Sequence, residues 1–461
     1  MGSANNLFFS SNSDSQTLHR RITPTDEQFD DQQERWNELA EHLRPALKQK
    51  TGCDTRTWLQ GSYKFGTQVR PVRINEEFDI DLGFYFEWDG ESDGGLYGPL
   101  ELKSFVNEAL HSFAEGRQEV KSVSSPKPRC ERIRYADNFH IDVPTYHLNE
   151  DDARSLANQN DSWEVSDPKA IYLWFKDAFE DAYRGRVRRL VRYLKAWSAL
   201  KFPDVVSRPS SILLTVLVVD AVLTLGVDIL TADDDAFRSI VSEIADRVAK
   251  SQSVLNPVNE AEDLALRLDR SDWRKISEMI AELKEQCDRA LDSDDEVSAA
   301  YVWQEAFEYL FPVPEAGASV LAEKSNLPAP IFVPEIAVSA TSKANRNLTY
   351  SGQNKIGPIP KGCDIEFRLA NTGSLPFGAT VTWTVRNEGR EAENKNDLGH
   401  RVGAGLVAFE TSAYRGTHYM DCTVKVGGKV VAMRRVPVEI SGVDAPRRNP
   451  VNRPAWTRFR R

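Results

Sequence analysis

Three aspartates in two strand-like segments are the residues of this sequence best suited to metal chemistry. Asp79 and Asp81 stand two apart in the alternating run EFDIDLGFYF at 77–86. Because residues i and i+2 lie on one face of a strand, both carboxylates point the same way. Asp142 lies in a second run, HIDVPTY at 140–146, and shares a face with His140. Neighbouring carboxylates repel each other unless a cation lies between them, so the pattern indicates a divalent metal site.

Magnesium is the cation that such a site favours, since it prefers oxygen ligands and is commonly held by one or two carboxylates plus substrate phosphates. A third carboxylate allows two metal ions, one at an attacking hydroxyl and one at a leaving pyrophosphate. The alternative for an isolated D-x-D pair is two acids on an exposed strand face. His140 is a weaker candidate for a catalytic base, because inward-facing histidines are more often hydrogen-bonded structural groups.

A Gly-Ser turn precedes the acids. Ser62 stands 17 residues before Asp79 and follows Gly61 and an apolar segment. Such a turn offers backbone N–H groups and a hydroxyl, which suit a phosphate. Gly-Ser turns are common, so this one indicates phosphate binding only together with the acids that follow it.

The order of a Gly-Ser turn, a D-x-D pair and a later aspartate resembles the DNA polymerase β nucleotidyltransferase superfamily. Five segments narrow the resemblance to the cGAS/DncV-like nucleotidyltransferases of bacterial anti-phage signalling systems. In chain order they are QGSYKFGTQ at 60–68, EFDIDLG at 77–83, FHIDVP at 139–144, LVRYLKAW at 190–197 and PSSILL at 209–214. Five ordered motifs are far more specific than any one of them.

The resemblance implies a role for each matched residue. Asp79, Asp81 and Asp142 would hold two Mg²⁺ ions, with Mn²⁺ as a substitute, and Asp142 would help to deprotonate the attacking ribose hydroxyl. The remaining candidates would bind the nucleotide: Gly61 and Ser62 at the β- and γ-phosphates, Lys195 and Ser211 at the triphosphate, and Gln60 and Lys64 as weaker candidates beside the turn. From physics alone, Lys195 is a surface lysine on an amphipathic helix, and Ser210 competes with Ser211.

Composition limits the partners. The chain has 461 residues and a net charge of -11, which disfavours long duplex nucleic acid as the main substrate because such binding needs Lys and Arg at the phosphates. No apolar run is long enough to span a membrane, and the first twenty residues lack a signal-peptide segment. The five cysteines form no C-x-x-C pair, which argues against a disulfide framework or zinc ribbon and for a reducing cytoplasm. The resemblance implies that this cytoplasm is bacterial.

The hydrophobic pattern and composition of the sequence change along the chain. Helical spacing follows Pro168, the segment 233–310 is expected to be helical throughout, and short alternating runs with Gly-bearing turns fill 336–440. We therefore expect an α/β (α+β) fold with a helical lobe and a C-terminal all-β sandwich, and the resemblance implies a two-lobed polymerase-β-like core. The expected divisions are a disordered arm at 1–20, a catalytic lobe at 21–167, a helical lobe at 168–312, a linker at 313–334, a sensor-like β-sandwich at 335–441 and a basic tail at 442–461.

The resemblance predicts an enzyme that makes a cyclic di- or trinucleotide from ATP and other NTPs, releases pyrophosphate and acts through a downstream effector in anti-phage defence. One alternative is a nucleotidyltransferase that makes linear oligonucleotides or modifies RNA or protein. Another is an inactive module that senses a ligand. The β region resembles a sensor domain, and a regulatory protein or ligand would bind there. Trp383, Tyr414 and Tyr419 are candidates to line such a site, although sandwich cores use aromatic residues too.

Overall fold

The computed structural model describes residues 2–12, 16–74, 76–136, 138–314 and 332–444. The described residues form two compact units, one within 2–9 and 18–288 and the other within 10–12, 16–17, 289–314 and 332–444. The helices are α1 (Asn5–Phe8), α2 (Leu18–Ile22), α3 (Asp26–Thr51), α4 (Gly61–Phe65), α5 (Pro99–Ala114), α6 (Pro168–Asp177), α7 (Asp181–Lys201), α8 (Ser211–Leu225), α9 (Asp233–Lys250), α10 (Arg270–Leu291), α11 (Glu296–Phe307) and α12 (Arg390–Asn394).

The strands of the first unit form one large sheet and a small hairpin. The large sheet contains β1 (Asp54–Gln60), β2 (Phe78–Glu87), β3 (Val120–Val123), β4 (Glu131–Tyr135), β5 (Phe139–Val143), β6 (Thr145–Leu148), β7 (Arg154–Ala157) and β8 (Trp163–Val165). The hairpin contains β9 (Leu255–Asn256) and β10 (Asn259–Asp263). Strand β2 is central, since it pairs in parallel with β5 and then β6, and antiparallel with β1.

Helices α3 and α5 share one core with the large sheet. Phe78, Ile80 and Leu82 of β2 are buried in it, so the alternation of the strand sends the intervening acids to the other face, as predicted. Thr25 begins α3 with a capping box that it forms with Gln28, the arrangement that satisfies the first N–H groups of a helix.

The helical part of the first unit contains α6 to α10. Helix α8 is buried along most of its length, because it is apolar all round and packs against both α7 and α9. Helix α7 carries basic residues along with a buried apolar stripe. No helix of the described residues is long and apolar enough to cross a membrane.

The second unit is a β-sandwich preceded by α11. Its two sheets share one hydrophobic core, which is the arrangement of a sandwich. The sheet orders are β12-β11-β14-β17 and β13-β19-β18-β15-β16. The strands are β11 (Ile336–Ser342), β12 (Thr349–Gln353), β13 (Ile356–Lys361), β14 (Cys363–Leu369), β15 (Ala379–Arg386), β16 (Gly399–Ala404), β17 (Val407–Thr411), β18 (Gly416–Val426) and β19 (Lys429–Asp444). The expected fold class is confirmed.

Two expectations differ from the structure. The described part of 1–20 is not a disordered arm, because α1 and α2 lie there and Phe8 and Leu18 are fully buried. The segment 233–310 is not helical throughout, because the β9–β10 hairpin interrupts it. The expected basic tail from 445 onward and most of the expected linker, 315–331, lie outside the described residues.

Candidate functional site

The parallel pairing of β2 with β5 brings the predicted acids together. Asp79 lies opposite His140, and Asp81 lies opposite Asp142. One ligand atom each from Asp79, His140 and Asp142 lie within 4.8 Å of one another. Carboxylate oxygens and an imidazole nitrogen at this spacing suit a divalent cation. The donor set therefore fits a metal ion, with His140 as a possible ligand that the sequence pattern had favoured as structural.

Asp81 lies at the edge of this group, beside the Gly-Ser turn. A Cβ built on Gly61 would lie 1.9 Å from Asp81 Oδ2, and Gly61 has φ +58. Glycine is the residue that adopts this backbone conformation without steric cost. The turn therefore brings its backbone against the second carboxylate of the D-x-D pair, an approach that a side chain at position 61 would block.

Charges around the acids shift their protonation in opposite directions. Burial acts to raise the pKa of Asp79, but the nearby His140 and Arg132 outweigh it and hold that pKa below its usual value. Burial, together with Asp79 and Asp142, raises the pKa of Asp81 well above its usual value. A bound divalent cation would oppose the effects that raise the pKa of Asp81, which accords with a metal site.

Two contacts that the sequence analysis missed hold the acids in place. Arg132 forms a bidentate pair with Asp142, with Nη2 at 2.6 Å from Oδ2. His140 bridges two acids, with Nε2 at 2.9 Å from Asp79 Oδ1 and Nδ1 at 3.0 Å from Glu77 Oε2. The structure thus adds Arg132, which pairs with Asp142, and Glu77, which contacts the far side of the His140 ring, to the candidate site.

The nucleotide-binding candidates divide into two groups. Ser62, Lys195 and Ser211 line the same cavity as Asp79. Gln60 does not, because its side chain is buried between two tyrosines, donating to Tyr85 Oη at 2.8 Å and accepting from Tyr146 Oη at 3.2 Å.

Lys64 also has a different environment from the one proposed for it. Its Nζ lies 4.3 Å from the centre of the Trp58 ring and 5.1 Å from that of Tyr172. A cation over aromatic faces is stabilised there, so Lys64 packs against Trp58 of β1 and Tyr172 of α6.

Lys195 is buried rather than solvated. Its side chain is 9% exposed, and Nζ donates to the carbonyl of Thr67 at 2.9 Å. Burial, aided by Arg192, lowers the pKa of Lys195 to about 7, against the opposing effect of Asp79 and Asp81. A buried ammonium group in a cavity is costly unless an anion joins it, and a triphosphate is such an anion.

The two adjacent serines at the start of α8 differ in availability. Ser210 is the N-cap, and its Oγ accepts from the N–H of Leu213 at 3.3 Å. Ser211 is exposed and lines the cavity, and its hydroxyl makes no hydrogen bond within the described part of the chain. The geometry therefore favours Ser211 over Ser210 as the nucleotide contact.

The cavity has a volume of about 510 Å³, within the range of about 300–1,000 Å³ found for ligand pockets. Its walls carry more cations than acids, which attracts a polyanion. The cationic lining residues are Arg70, Arg132, Arg134, Lys195, Arg208 and Arg267.

Two family models match this chain. Residues 55–146 match the family described as cyclic GMP-AMP synthase DncV-like, nucleotidyltransferase domain. Residues 322–441 match the adenylyl/guanylyl and SMODS C-terminal sensor domain. The first match contains β2 and β5, and thus all three aspartates.

Curated relatives agree with these matches. A cyclic GMP-AMP synthase of Escherichia albertii is 28% identical over 446 residues, which cover 96% of this chain and 97% of that protein. A cyclic GMP-AMP synthase of Vibrio cholerae is 27% identical over 37% of this chain and 49% of its own length. A c-di-GMP synthase of Roseivirga ehrenbergii is 24% identical over 46% of this chain and 61% of its own length.

Solved structures show the same fold. The di-nucleotide cyclase DncV of Vibrio cholerae, as a mutant in complex with ATP, GTP and 5MTHFGLU2, superimposes with a TM-score of 0.59 at 20% identity. The similarity covers 67% of this chain and 97% of that one. Escherichia coli DncV with 3'-deoxy GTP gives a TM-score of 0.56, also at 20% identity.

Proposed function

We propose that this chain, a DncV-like nucleotidyltransferase with an adenylyl/guanylyl and SMODS C-terminal sensor domain, joins nucleoside triphosphates into a cyclic di- or trinucleotide. In each step a ribose hydroxyl attacks an α-phosphorus, the bond to pyrophosphate breaks, and pyrophosphate leaves. The observation that carries the proposal is the convergence in one region of Asp79, His140 and Asp142, next to a cavity that Lys195 and Ser211 also line.

Asp79, Asp81 and Asp142 would hold Mg²⁺, with His140 positioned beside them. When bound, the metal would supply charge neutralisation and Lewis-acid activation of the attacking hydroxyl and the leaving group. Asp142 is assigned the proton of the attacking hydroxyl, and Arg132 holds both of its oxygens. Ser62, Lys195 and Ser211 bind the triphosphate, which places the α-phosphorus next to the acids.

The substrates and the role are taken from the relatives. ATP and GTP are bound to the similar bacterial cyclase, which supports them as substrates of this chain. By resemblance to bacterial anti-phage systems, the cyclic product would activate an effector protein in the bacterial cytoplasm. The cavity is large enough for nucleotides, and the basic lining favours small polyanions rather than neutral substrates.

The test is to incubate the protein with the four NTPs and Mg²⁺, treat the mixture with phosphatase, and identify resistant products by mass spectrometry. A resistant cyclic product is expected. A phosphatase-sensitive linear product would favour the alternative of linear oligonucleotide synthesis.

Variants test the site within the same assay. We expect Asp79→Asn combined with Asp81→Asn to abolish turnover and leave folding intact. The matched control is Asp292→Asn with Asp294→Asn, an exposed D-x-D pair elsewhere in the chain, which should retain full activity. Activity in the first double variant would contradict the metal assignment.

A further inference from the structure

A small cavity lies between the two sheets of the C-terminal sandwich, remote in sequence from the acids. Its floor is apolar and comes from both sheets, with Ile365 and Phe367 from β14, Val385 from β15 and Met420 from β18. Its volume is about 70 Å³, and one water needs about 10–15 Å³ on this measure. The cavity is therefore several times larger than one water needs and has room for a small molecule built on a single ring.

Asn387 gives this cavity a polar group without a partner. It lines the cavity and is 8% exposed. Its backbone N–H donates to the carbonyl of Leu398, but its side-chain amide makes no hydrogen bond to any described residue. An amide that no protein group pairs with can donate to and accept from a ligand that presents an adjacent acceptor and donor.

The mouth of the cavity excludes anions. Asp397 accepts from Tyr414 Oη at 2.8 Å, and Glu410 pairs with His400 at 2.6 Å. His418 already uses both nitrogens, since Nδ1 accepts from the N–H of Glu388 and Nε2 donates to the carbonyl of Tyr414. No Lys or Arg is among the lining residues. The lining thus carries two carboxylates, two histidines and no Lys or Arg, so a phosphate or carboxylate ligand would meet like charge.

We propose that this cavity is a ligand site for an uncharged single-ring heterocycle that presents an adjacent donor and acceptor, the chemistry of a pyrimidine-base edge. The ring lies against the apolar floor, and the amide of Asn387 pairs with the heterocycle edge as amides do with base edges. Tyr414 and Tyr419, two of the aromatic residues that the sequence offered as site candidates, both line this cavity. Trp383 instead belongs to the sandwich core.

The four methionines provide a direct probe, because the sequence contains only four and Met420 lines the cavity. The full chain is labelled with ¹³C at the methionine methyl groups and titrated with uracil, and Met420→Leu assigns the Met420 resonance. We expect the Met420 methyl to shift saturably, with a dissociation constant of about 1 mM, typical of a fragment-sized ligand. The Met279 and Met433 methyls should not follow.

Two test variants, one control variant and one control ligand decide the outcome. Asn387→Leu should weaken uracil binding about tenfold, and Ala413→Trp, at an exposed position on the cavity lining, should block it. Asn394→Leu, an exposed asparagine on α12, should change nothing, and benzoate, an anionic ring of similar size, should leave Met420 unshifted. A Met420 methyl that does not respond to uracil at about 10 mM, tenfold above the expected constant, overturns the proposal. So does a response that Asn387→Leu leaves intact. The resonance is read without turnover, so the result is independent of the nucleotidyltransferase assignment.

Discussion

The approach of Gly61 to Asp81 makes a quantitative prediction for Gly61→Ala. The added Cβ would lie 1.9 Å from Asp81 Oδ2, whereas ordinary contacts begin at 3.4 Å. The difference, 3.4 minus 1.9, requires a displacement of about 1.5 Å. A misplacement of about 1 Å near the reacting groups costs about 100-fold in rate. We therefore expect turnover to fall by about 100-fold or more.

The same substitution also has a cost in stability that must be separated from the collision. Gly61 has φ +58, and a residue with a Cβ in this region loses about 1 kcal/mol. Gly52 provides the matched control, because it has φ +75 and no atom within 4 Å of an added Cβ. Gly52→Ala should lose about the same 1 kcal/mol and keep its activity.

The assay compares pyrophosphate release at saturating NTP and Mg²⁺ with urea unfolding for both variants. The expected pattern is equal losses of unfolding free energy and a turnover defect in Gly61→Ala alone. Gly61→Ala with more than half of the normal turnover would show that Asp81 tolerates displacement. Equal turnover defects in the two variants would trace the effect to the backbone conformation, and either result refutes the reasoning.

Two further predictions concern the groups behind the acids. Glu77→Gln should raise the Mg²⁺ concentration needed for half-maximal activity about tenfold, because Glu77 orients His140 beside Asp79 and loss of such a supporting group weakens metal binding. Glu101→Gln, at an exposed position on α5, should leave that Mg²⁺ concentration unchanged. Lys195 has a pKa lowered to about 7, so it is mostly neutral at pH 8 and must take up a proton when a triphosphate binds. Calorimetry with a non-hydrolysable NTP in two buffers of different ionisation enthalpy should detect this proton uptake. The affinity for the NTP should fall by up to about tenfold per pH unit above pH 7. Lys195→Met should remove the proton uptake and the pH dependence of the affinity, whereas Lys176→Met should keep both.

The position of the acids followed from the sequence because strand alternation is a local property. Phe78, Ile80 and Leu82 are buried as the alternation of β2 predicted, and Asp79 and Asp81 alternate with them. The contact between Arg132 and Asp142 did not follow in the same way. The sequence predicts a turn at 137–138, which would pair residues whose numbers sum to 275, whereas β4 pairs with β5 so that Arg132 lies opposite Asp142, numbers that sum to 274. A register that differs by one residue moves every side chain to the other face of the sheet.

Other features depended on tertiary contacts or on a weak turn signal. Helix α1 has four residues, too short to be stable alone, and it forms because Phe8 packs against Tyr193 and Phe237. Nothing local predicts that packing. The hairpin within 233–310 has a signal in the Asn256-Pro257 dipeptide, which favours a turn, but its helix-rich surroundings outweighed it.

Lys195 is buried because α7 binds the backbone of the segment 65–68, which follows the Gly-Ser turn. This tertiary contact could not be predicted from the sequence alone. Arg188, Arg192 and Lys195 lie at helical spacing on α7. They donate to the carbonyls of Phe65, Gln68 and Thr67, at 2.8, 3.3 and 2.9 Å. Three basic side chains thus hold the segment that follows Ser62, and burial together with the neighbouring Arg188 lowers the pKa of Arg192 to about 10. Clustered buried cations repel one another and are stabilised when an anion joins them. A triphosphate bound at Ser62, as proposed, would be such an anion, so the turn and α7 would act as one anion site rather than as two independent motifs.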